Sequence, residues 1–313
     1  MRIFVAGATG ALGRQLVPAL AAAGHDVTGT TRRPERIAAI EALGARGAVM
    51  DALDPDAVGA AVAAAEPEVV VHQLTALSGS LDLRRFERSF AATNRLRIEG
   101  TDHLLAAARA AGAGRFVAQS YAGWPFARTG RGVNAEDAPF DPHPAAAMRT
   151  TLAALRHLED AVTGADGIEG IVLRYGGFYG PGTSMAAGAE HLEALRARKF
   201  PLVGDGGGIA AFVHVADAAA ATVAAIERGA PGIYNVVDDD HRRAAEWMPD
   251  AAAALGARPP RRVPRWLARL LAGEAAVAIM TRAPGASNDK ARRDLGWTPR
   301  NRSLAAAIRA GRV

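Results

Sequence analysis

The stretch Gly7-Ala8-Thr9-Gly10-Ala11-Leu12-Gly13 decides the fold, and it follows the apolar run Ile3-Phe4-Val5-Ala6 without a gap. The apolar run predicts a buried strand, and the residues after Gly13 predict the first helix. Glycine permits the tight turn between them and lets backbone N–H groups approach a diphosphate. The third glycine also lets the helix pack closely against the strand. The N-terminal end of the helix also favours negative charge. This arrangement predicts a dinucleotide-binding loop.

From this loop to about residue 175, short apolar runs alternate with long alanine-rich stretches. The predicted strands cover residues 3–6, 26–30, 45–50, 68–73, 115–119 and 170–174. The predicted helices cover residues 11–23, 34–43, 54–65, 83–111 and 146–163. Because strands that are apolar throughout are typical of a sheet covered on both faces, the fold class is α/β, a doubly wound parallel sheet of the Rossmann type.

After Arg174 the alternation breaks at stretches rich in glycine and proline, near residues 176–188 and 204–208. A strand is predicted over 211–215, a helix over 216–228 and a second strand over 232–237. We therefore predict a dinucleotide-binding domain over residues 1–175 and a smaller, partly interleaved substrate-binding lobe over residues 176–313. The return of some later segments to the main sheet stays open at this point.

The composition narrows the class of protein. The chain has 313 residues, 37 Lys+Arg against 32 Asp+Glu, a net charge of +5 and no cysteine. Without cysteine there is no disulfide, thiolate metal site or thiol nucleophile. The arginines alternate with acidic residues as on a solvated helix surface, so the charge does not indicate nucleic-acid binding. No targeting segment and no apolar run of the ~18 residues that cross a bilayer is apparent, so we expect a cytoplasmic protein that binds no membrane.

The end of the second predicted strand indicates which dinucleotide is bound. Sites that prefer NAD usually carry Asp or Glu there, which binds the ribose 2′-hydroxyl. This chain has Thr30-Thr31-Arg32-Arg33 instead. Guanidinium groups bind a 2′-phosphate through paired hydrogen bonds, so Arg32 and Arg33 favour NADP. The alternative is that both are solvated residues ahead of a helix that starts at Pro34.

Further motifs accompany the GxxGxxG spacing of the loop. They are Val69-Val70-Val71-His72-Gln73-Leu74-Thr75, Gly100-Thr101, and the stretches 116–120, 173–182, 212–217 and 295–299. Together they resemble the extended short-chain dehydrogenase/reductase superfamily, in its NAD-dependent epimerase/dehydratase group. The resemblance covers nearly the whole chain and implies a nicotinamide cofactor, with Asp51 next to the adenine amino group. The cofactor-binding residues it implies, together with the two arginines, are Gly7, Thr9, Gly10, Ala11, Leu12, Gly13, Arg32, Arg33, Asp51, Ala52, Gln73, Leu74, Thr75, Tyr175, Gly176 and Phe178.

The chain departs from this family at its catalytic residues. The family uses a tyrosine and a lysine four residues apart on one helix, where the lysine lowers the pKa of the tyrosine. No tyrosine of this chain is followed by lysine at that spacing. Aligned on Glu159, the family positions hold Thr151 and Leu155. The family asparagine on the long helix falls at Arg97, and Asn94 lies nearly one turn earlier.

Two further departures concern the substrate. In the UDP-sugar epimerases an asparagine and an arginine contact the diphosphate, and this chain has Gly177 and Ala210 at those positions. A small substrate without a nucleotide is therefore predicted. The expected pocket lies between the end of the fifth strand and the lobe after residue 176, with Trp124, Phe178 and Tyr179 as candidate walls.

Tyr121 and Ser120 are the candidate catalytic residues, since both directly follow the fifth predicted strand. Tyr121 is a candidate replacement proton donor, and the alternative is an aromatic residue packed with Trp124 and Phe126. Ser120 is a candidate hydrogen-bond donor to a substrate carbonyl, and the alternative is that it caps the turn. His72 and His214 are interpreted as structural histidines, and no metal site is predicted.

The sequence therefore predicts an NADP-dependent oxidoreductase or epimerase-like enzyme of the short-chain dehydrogenase type. Without a lysine, a tyrosine is better suited to donate a proton than to accept one, so reduction is favoured over oxidation. The alternative is a non-enzymatic dinucleotide-binding sensor or scaffold. The long helices near 83–111 and 146–163 resemble those that pair two subunits in the family, which implies a homodimer.

Overall fold

Strands and helices alternate along the computed structural model, which describes residues 1–77, 82–130 and 132–313. The strands are β1 (Arg2–Ala6), β2 (Asp26–Thr31), β3 (Arg46–Val49), β4 (Val69–His72), β5 (Arg115–Tyr121), β6 (Val133–Asn134), β7 (Glu169–Tyr175), β8 (Gly177–Tyr179), β9 (Leu202–Val203), β10 (Phe212–His214), β11 (Gly232–Val236), β12 (Arg262–Val263) and β13 (Gly285–Ala286). The α-helices are α1 (Gly13–Ala22), α2 (Ile37–Glu41), α3 (Pro55–Ala65), α4 (Phe86–Arg95), α5 (Thr101–Ala110), α6 (Arg149–Thr163), α7 (Glu190–Arg196), α8 (Val215–Arg228), α9 (Ala244–Ala254), α10 (Arg265–Arg282), α11 (Asp289–Leu295) and α12 (Leu304–Arg309). Turns of 3-10 helix cover Pro34–Arg36, Leu83–Arg85 and Ala146–Met148.

The main sheet confirms the predicted fold class. Its strands are parallel and lie in the order β11-β7-β5-β4-β1-β2-β3. One face packs its apolar side chains against α1 and α8, and the other packs against α3, α5 and α6. The strand order reverses between β1 and β4, where the connections leave in opposite directions. In such sheets ligands bind in the crevice at this point, beyond the carboxyl ends of the strands.

The main sheet is not confined to the first 175 residues, because β11 returns to it and pairs in parallel with β7. The later half also forms short parallel strand pairs, β8 with β10 and β9 with β12, while β13 pairs with β6 of the earlier half. A separate apolar core lies here, with Leu192, Leu202, Trp247 and Met248 among its buried side chains. The division into a domain of 1–175 and a lobe of 176–313 stays a prediction.

The helical stretch predicted over 83–111 contains one wide turn in the structure. A π-helical turn, Leu96–Gly100, joins α4 to α5. The predicted helical stretch is confirmed, and the π-helical turn is a local widening that the spacing of apolar residues does not record. Turns of this kind are frequent at functional sites. Gly24, Gly44 and Gly112 follow the ends of α1, α2 and α5 in the left-handed conformation, with φ angles of 82°, 89° and 71°.

Among the described residues, no helix is both long and apolar enough to cross a membrane. The predicted homodimer, the cytoplasmic location and the absence of a nucleic-acid partner stay predictions.

Candidate active site

The glycine loop between β1 and α1 has the geometry of a dinucleotide cradle. Gly7 has a φ of 101°, and a Cβ atom there would lie 2.9 Å from the carbonyl oxygen of Gln73. A Cβ atom on Gly13 would lie 2.4 Å from the carbonyl oxygen of Gly7, so a side chain would separate the loop from the start of α1. Gly10 is exposed at the tip of the turn. The loop fits a diphosphate held by backbone N–H groups at the N-terminus of α1.

The predicted site residues lie at one edge of the molecule, because parallel strands end on the same side of a sheet. Arg32 and Arg33 follow β2, Asp51 and Ala52 follow β3, Gln73, Leu74 and Thr75 follow β4, Ser120 and Tyr121 end β5, and Tyr175, Gly176 and Phe178 lie at the end of β7 and in β8. This edge includes the crevice between β1 and β4. The structure therefore brings the predicted residues together along the surface where a dinucleotide would extend.

The two arginines after β2 remain open to solvent. Arg32 and Arg33 are exposed, and within the described ranges neither guanidinium group makes a salt bridge. The Thr31 hydroxyl accepts a hydrogen bond of 3.1 Å from the Arg33 N–H, which holds the backbone at this turn. Asp51 is exposed and accepts from the Leu53 N–H at 3.0 Å. Both cations are free to contact a phosphate group, and their preference for NADP stays a prediction.

Gln73 carries an unsatisfied acceptor next to the glycine loop. Its Nε2 donates to the Tyr175 hydroxyl at 3.4 Å, while its Oε1 is buried without a hydrogen-bond partner among the described residues. A buried acceptor without a donor is destabilising, so a ligand that donates here would be stabilised. Tyr175 is fully buried and shares a hydrogen bond of 2.7 Å with Thr222. Its predicted contact with the cofactor stays a prediction.

The family positions of the catalytic pair hold a hydrogen-bonded threonine and a buried leucine. Thr151 and Leu155 are buried on α6. The Thr151 hydroxyl accepts from the Asn94 Nδ2 at 3.0 Å, and the Asn94 Oδ1 accepts from the Arg97 Nη1 at 3.4 Å. Neither Thr151 nor Leu155 ionises near neutral pH, so these positions supply no acid or base.

Neither lysine of this chain replaces the lysine of the family's catalytic pair. Lys199 is exposed in the turn after α7. Lys290 donates to the Ile233 carbonyl oxygen at 2.6 Å, and its ammonium group lies 3.8 Å from the centre of the Tyr234 ring. Lys290 therefore stabilises the β11 edge of the sheet.

Tyr121 is the acid available at the end of β5. Its ring lies 6.3 Å from that of Trp124, and its hydroxyl has no hydrogen-bond partner within the described residues. Burial raises the pKa of Tyr121 to about 12, and the positive charge of Arg97 offsets a part of that rise. The hydroxyl therefore stays protonated at neutral pH and serves as a donor. Its role as the proton donor of catalysis stays a prediction.

Ser120 belongs to a buried charged cluster that the sequence interpretation missed. Its hydroxyl donates to the Glu159 Oε1 at 2.6 Å. Arg174 donates to both carboxylate oxygens of Glu159, at 2.9 and 2.6 Å, and lies 4.0 Å from the centre of the Phe126 ring. The sequence signal was an arginine, Arg174, directly after the apolar run Ile171-Val172-Leu173 of β7. The Ser120 proton is held inside this cluster, and a catalytic role for Ser120 stays a prediction.

The two histidines singled out in the sequence are structural, as predicted. His72 accepts from the Leu74 N–H and donates to the Leu96 carbonyl oxygen at 3.3 Å. Burial lowers its pKa to about 4, so it is neutral. His214 accepts from the Ala216 N–H at the start of α8. In the described part of the chain, no three His, Cys, Asp or Glu side chains are placed to hold a metal.

Tyr179 is not a pocket wall, and that prediction was wrong. The residue is fully buried, and its hydroxyl donates within the core to the Asp238 carboxylate and the Asn301 carbonyl oxygen, each at 3.1 Å. The alternating side chains of β8 place Tyr179 on the inner face, packed with residues of the later half. Trp124 and Phe178 are half-buried and stay candidate walls.

Comparison with known proteins identifies the family. The sequence pattern of the NAD dependent epimerase/dehydratase family matches residues 3–236. The chain belongs to this family. It is 47% identical over 302 residues, covering 96% of both chains, to a Streptomyces sp protein described as 3-diazoavenalumate denitrifying reductase. This member of the epimerase/dehydratase family is thus an oxidoreductase- or epimerase-type protein with a nicotinamide cofactor.

Two solved structures show the same fold. UDP-glucose 4-epimerase from Thermotoga maritima, with UDP-glucose, has a TM-score of 0.77 and 21% identity, over 99% of this chain and 96% of that chain. A human epimerase family protein with NADPH has a TM-score of 0.74 and 22% identity, over 99% of this chain and 98% of that chain. At these identities the likeness to other epimerase/dehydratase structures concerns the fold alone.

Proposed function

We propose that this chain is an NADPH-dependent reductase that replaces the diazo group of a small carboxylate by hydrogen, with loss of N2. The observation that carries the proposal is the full-length relative, whose description names a diazo carboxylate, a reduction and the removal of nitrogen. The side chains at the family's catalytic positions give independent support, because Thr151 and Leu155 supply no acid or base near neutral pH.

The cofactor fits the residues at the carboxyl edge of the sheet. The loop over 7–13 would hold the diphosphate, Arg32 and Arg33 would hold the 2′-phosphate, and the unsatisfied Gln73 Oε1 would accept a hydrogen bond from the bound ligand. When bound, NADPH would supply a hydride to the carbon that carries the diazonium group. A C–H bond would form there, and the C–N bond would break with its electron pair leaving on N2 (R–N2⁺ + NADPH → R–H + N2 + NADP⁺).

Carbonyl reduction needs a proton, whereas this reaction does not. A carbonyl oxygen becomes an alkoxide and has to be protonated, which is the task of the family's tyrosine. N2 departs as a neutral gas, so the protein has no leaving group to protonate. Thr151 is engaged with Asn94, and the Tyr121 hydroxyl keeps its proton at neutral pH. The protein therefore contributes binding, orientation and the exclusion of water rather than a proton relay.

The transfer of hydrogen is testable with labelled cofactor. We expect purified protein to oxidise NADPH in the presence of 4-carboxybenzenediazonium and to release benzoate. With NADPH deuterated at C4, mass spectrometry and NMR should find one deuterium at the carbon that carried nitrogen. Reactions without protein, and with Gly13→Ala protein whose folding is checked by circular dichroism, control for direct reaction of the salt with NADPH. A protein that binds NADPH but turns over no diazonium, carbonyl or activated alkene would instead be a dinucleotide-binding sensor.

Tyr121→Phe separates this chemistry from proton-coupled reduction. We expect the substitution to change diazonium turnover less than about threefold, since no proton is transferred, whereas loss of a general acid costs about 10²–10⁴-fold. The rate should also be flat between about pH 6 and 8, because Tyr121 with a pKa of about 12 and His72 with a pKa of about 4 do not titrate there. A loss of about 10²-fold in Tyr121→Phe, with NADPH affinity unchanged, would contradict proton-independent reduction.

A further inference from the structure

Arg97 places a buried positive charge beside the site. It lies in the π-helical turn between α4 and α5, and only 6% of its surface is exposed. Within the described residues, its guanidinium group makes one hydrogen bond, to the Asn94 Oδ1 at 3.4 Å, and no salt bridge. A guanidinium group has five N–H donors, and a buried charge without a counter-charge is strongly unfavourable. The fold therefore retains a cation that no side chain of the described residues neutralises.

Arg174 shows how this protein neutralises a buried arginine that is structural. It is buried to nearly the same extent, with 4% of its surface exposed. It has a two-point contact with the Glu159 carboxylate, a hydrogen bond of 2.9 Å to the Glu136 carbonyl oxygen and the face of Phe126. Arg97 lacks every one of these kinds of partner among the described residues. Arg174 is therefore bound by partners within the fold, whereas Arg97 is available to a ligand.

Arg97 is linked by hydrogen bonds to one of the family's catalytic positions. Through Asn94 it connects to Thr151, the family position of the catalytic tyrosine. The positive charge of Arg97 acts to lower the pKa of Tyr121 at the end of β5 and the pKa of His72 at the end of β4. Both of these groups are uncharged at neutral pH. The charge of Arg97 is therefore not balanced by these two neighbours, and a negatively charged ligand would balance it.

We infer that Arg97 binds the carboxylate of the substrate and orients the molecule for reduction. A planar guanidinium group matches a carboxylate through two parallel N–H···O bonds, which fixes direction as well as position. The inference rests on the proposed function for the identity of the reaction, and it adds the group that the site recognises. Arg97 is then a specificity-determining residue that selects small carboxylates over neutral analogues.

A pair of diazonium substrates tests this role. We expect Arg97→Met to lower kcat/KM for 4-carboxybenzenediazonium by about 10- to 100-fold, as expected for a charge-assisted hydrogen bond. Reduction of unsubstituted benzenediazonium, which has no carboxylate, should change little. Arg97→Lys keeps the charge and should recover part of the loss. Equal losses for both substrates, or none for either, would overturn the inference while leaving the proposed reaction in place.

A binding measurement tests the same residue without turnover. Calorimetry of the NADPH-loaded protein should detect cinnamate but not cinnamamide, and Arg97→Met should abolish the difference. Because the variant removes an uncompensated buried charge, its melting temperature without ligand should equal or exceed that of the parent. A lower melting temperature with cinnamate binding unchanged would make Arg97 structural and overturn the inference. Selective cinnamate binding without any diazonium turnover would support the anion site and contradict the proposed reaction.

Discussion

Glu159→Gln is expected to lower the free energy of unfolding by about 3–5 kcal/mol, because it leaves the Arg174 charge buried without a counter-charge. Glu159 and Arg174 are 2% and 4% exposed, so water cannot replace the lost carboxylate. The two side chains make two short hydrogen bonds, and Ser120 makes a third to the same carboxylate. Chemical denaturation followed by circular dichroism measures the change.

Ser120→Ala is the matched control for this prediction. It removes one hydrogen bond from the same carboxylate but leaves both charges paired, so its cost should be about 1–3 kcal/mol. The double variant Glu159→Gln, Arg174→Met removes both charges and should recover much of the stability, since apolar groups replace a buried pair well. If Glu159→Gln costs no more than Ser120→Ala, the charged cluster does not stabilise the fold in the way its geometry indicates.

The second large effect is expected in cofactor affinity. Arg32→Ala, Arg33→Ala protein should bind NADPH about 10²–10⁴-fold more weakly than the parent, since each charge-assisted contact to the 2′-phosphate contributes roughly ten- to a hundredfold. NADH has no 2′-phosphate, and its affinity should change little. Both arginines are exposed, so the titrations belong at low ionic strength, where screening is weak.

Arg36→Ala is the control for a general loss of positive charge. Arg36 is exposed in the 3-10 turn that follows the two arginines. The Arg36→Ala substitution should leave the preference for NADPH over NADH nearly unchanged. Equal affinities of the parent protein for NADPH and NADH would contradict the assignment of NADP, and the two arginines would then be solvated surface residues.

Local constraints explain what could be predicted for the fold and the cofactor site. The glycine spacing requires a tight turn against β4, and the structure shows that a Cβ atom on Gly7 or Gly13 would meet backbone atoms at 2.9 Å or less. Strands that are apolar throughout predicted a sheet covered on both faces. The helices that pack on each face of the main sheet confirm this prediction. The π-helical turn at Leu96–Gly100 could not be predicted, since apolar spacing does not record how wide a single turn is.

By itself, the sequence determined the doubly wound fold, the cofactor loop and the absence of the tyrosine–lysine pair, because each depends on which residues stand at short, fixed spacings. Only the tertiary structure decided what the buried polar residues do. The parallel register of β5 and β7 puts Ser120 opposite Arg174, and α6 brings Glu159 to both. Arg97 is buried with no carboxylate within reach among the described residues. A charge meets its partner through packing between elements distant in the chain, and no local pattern specifies that packing.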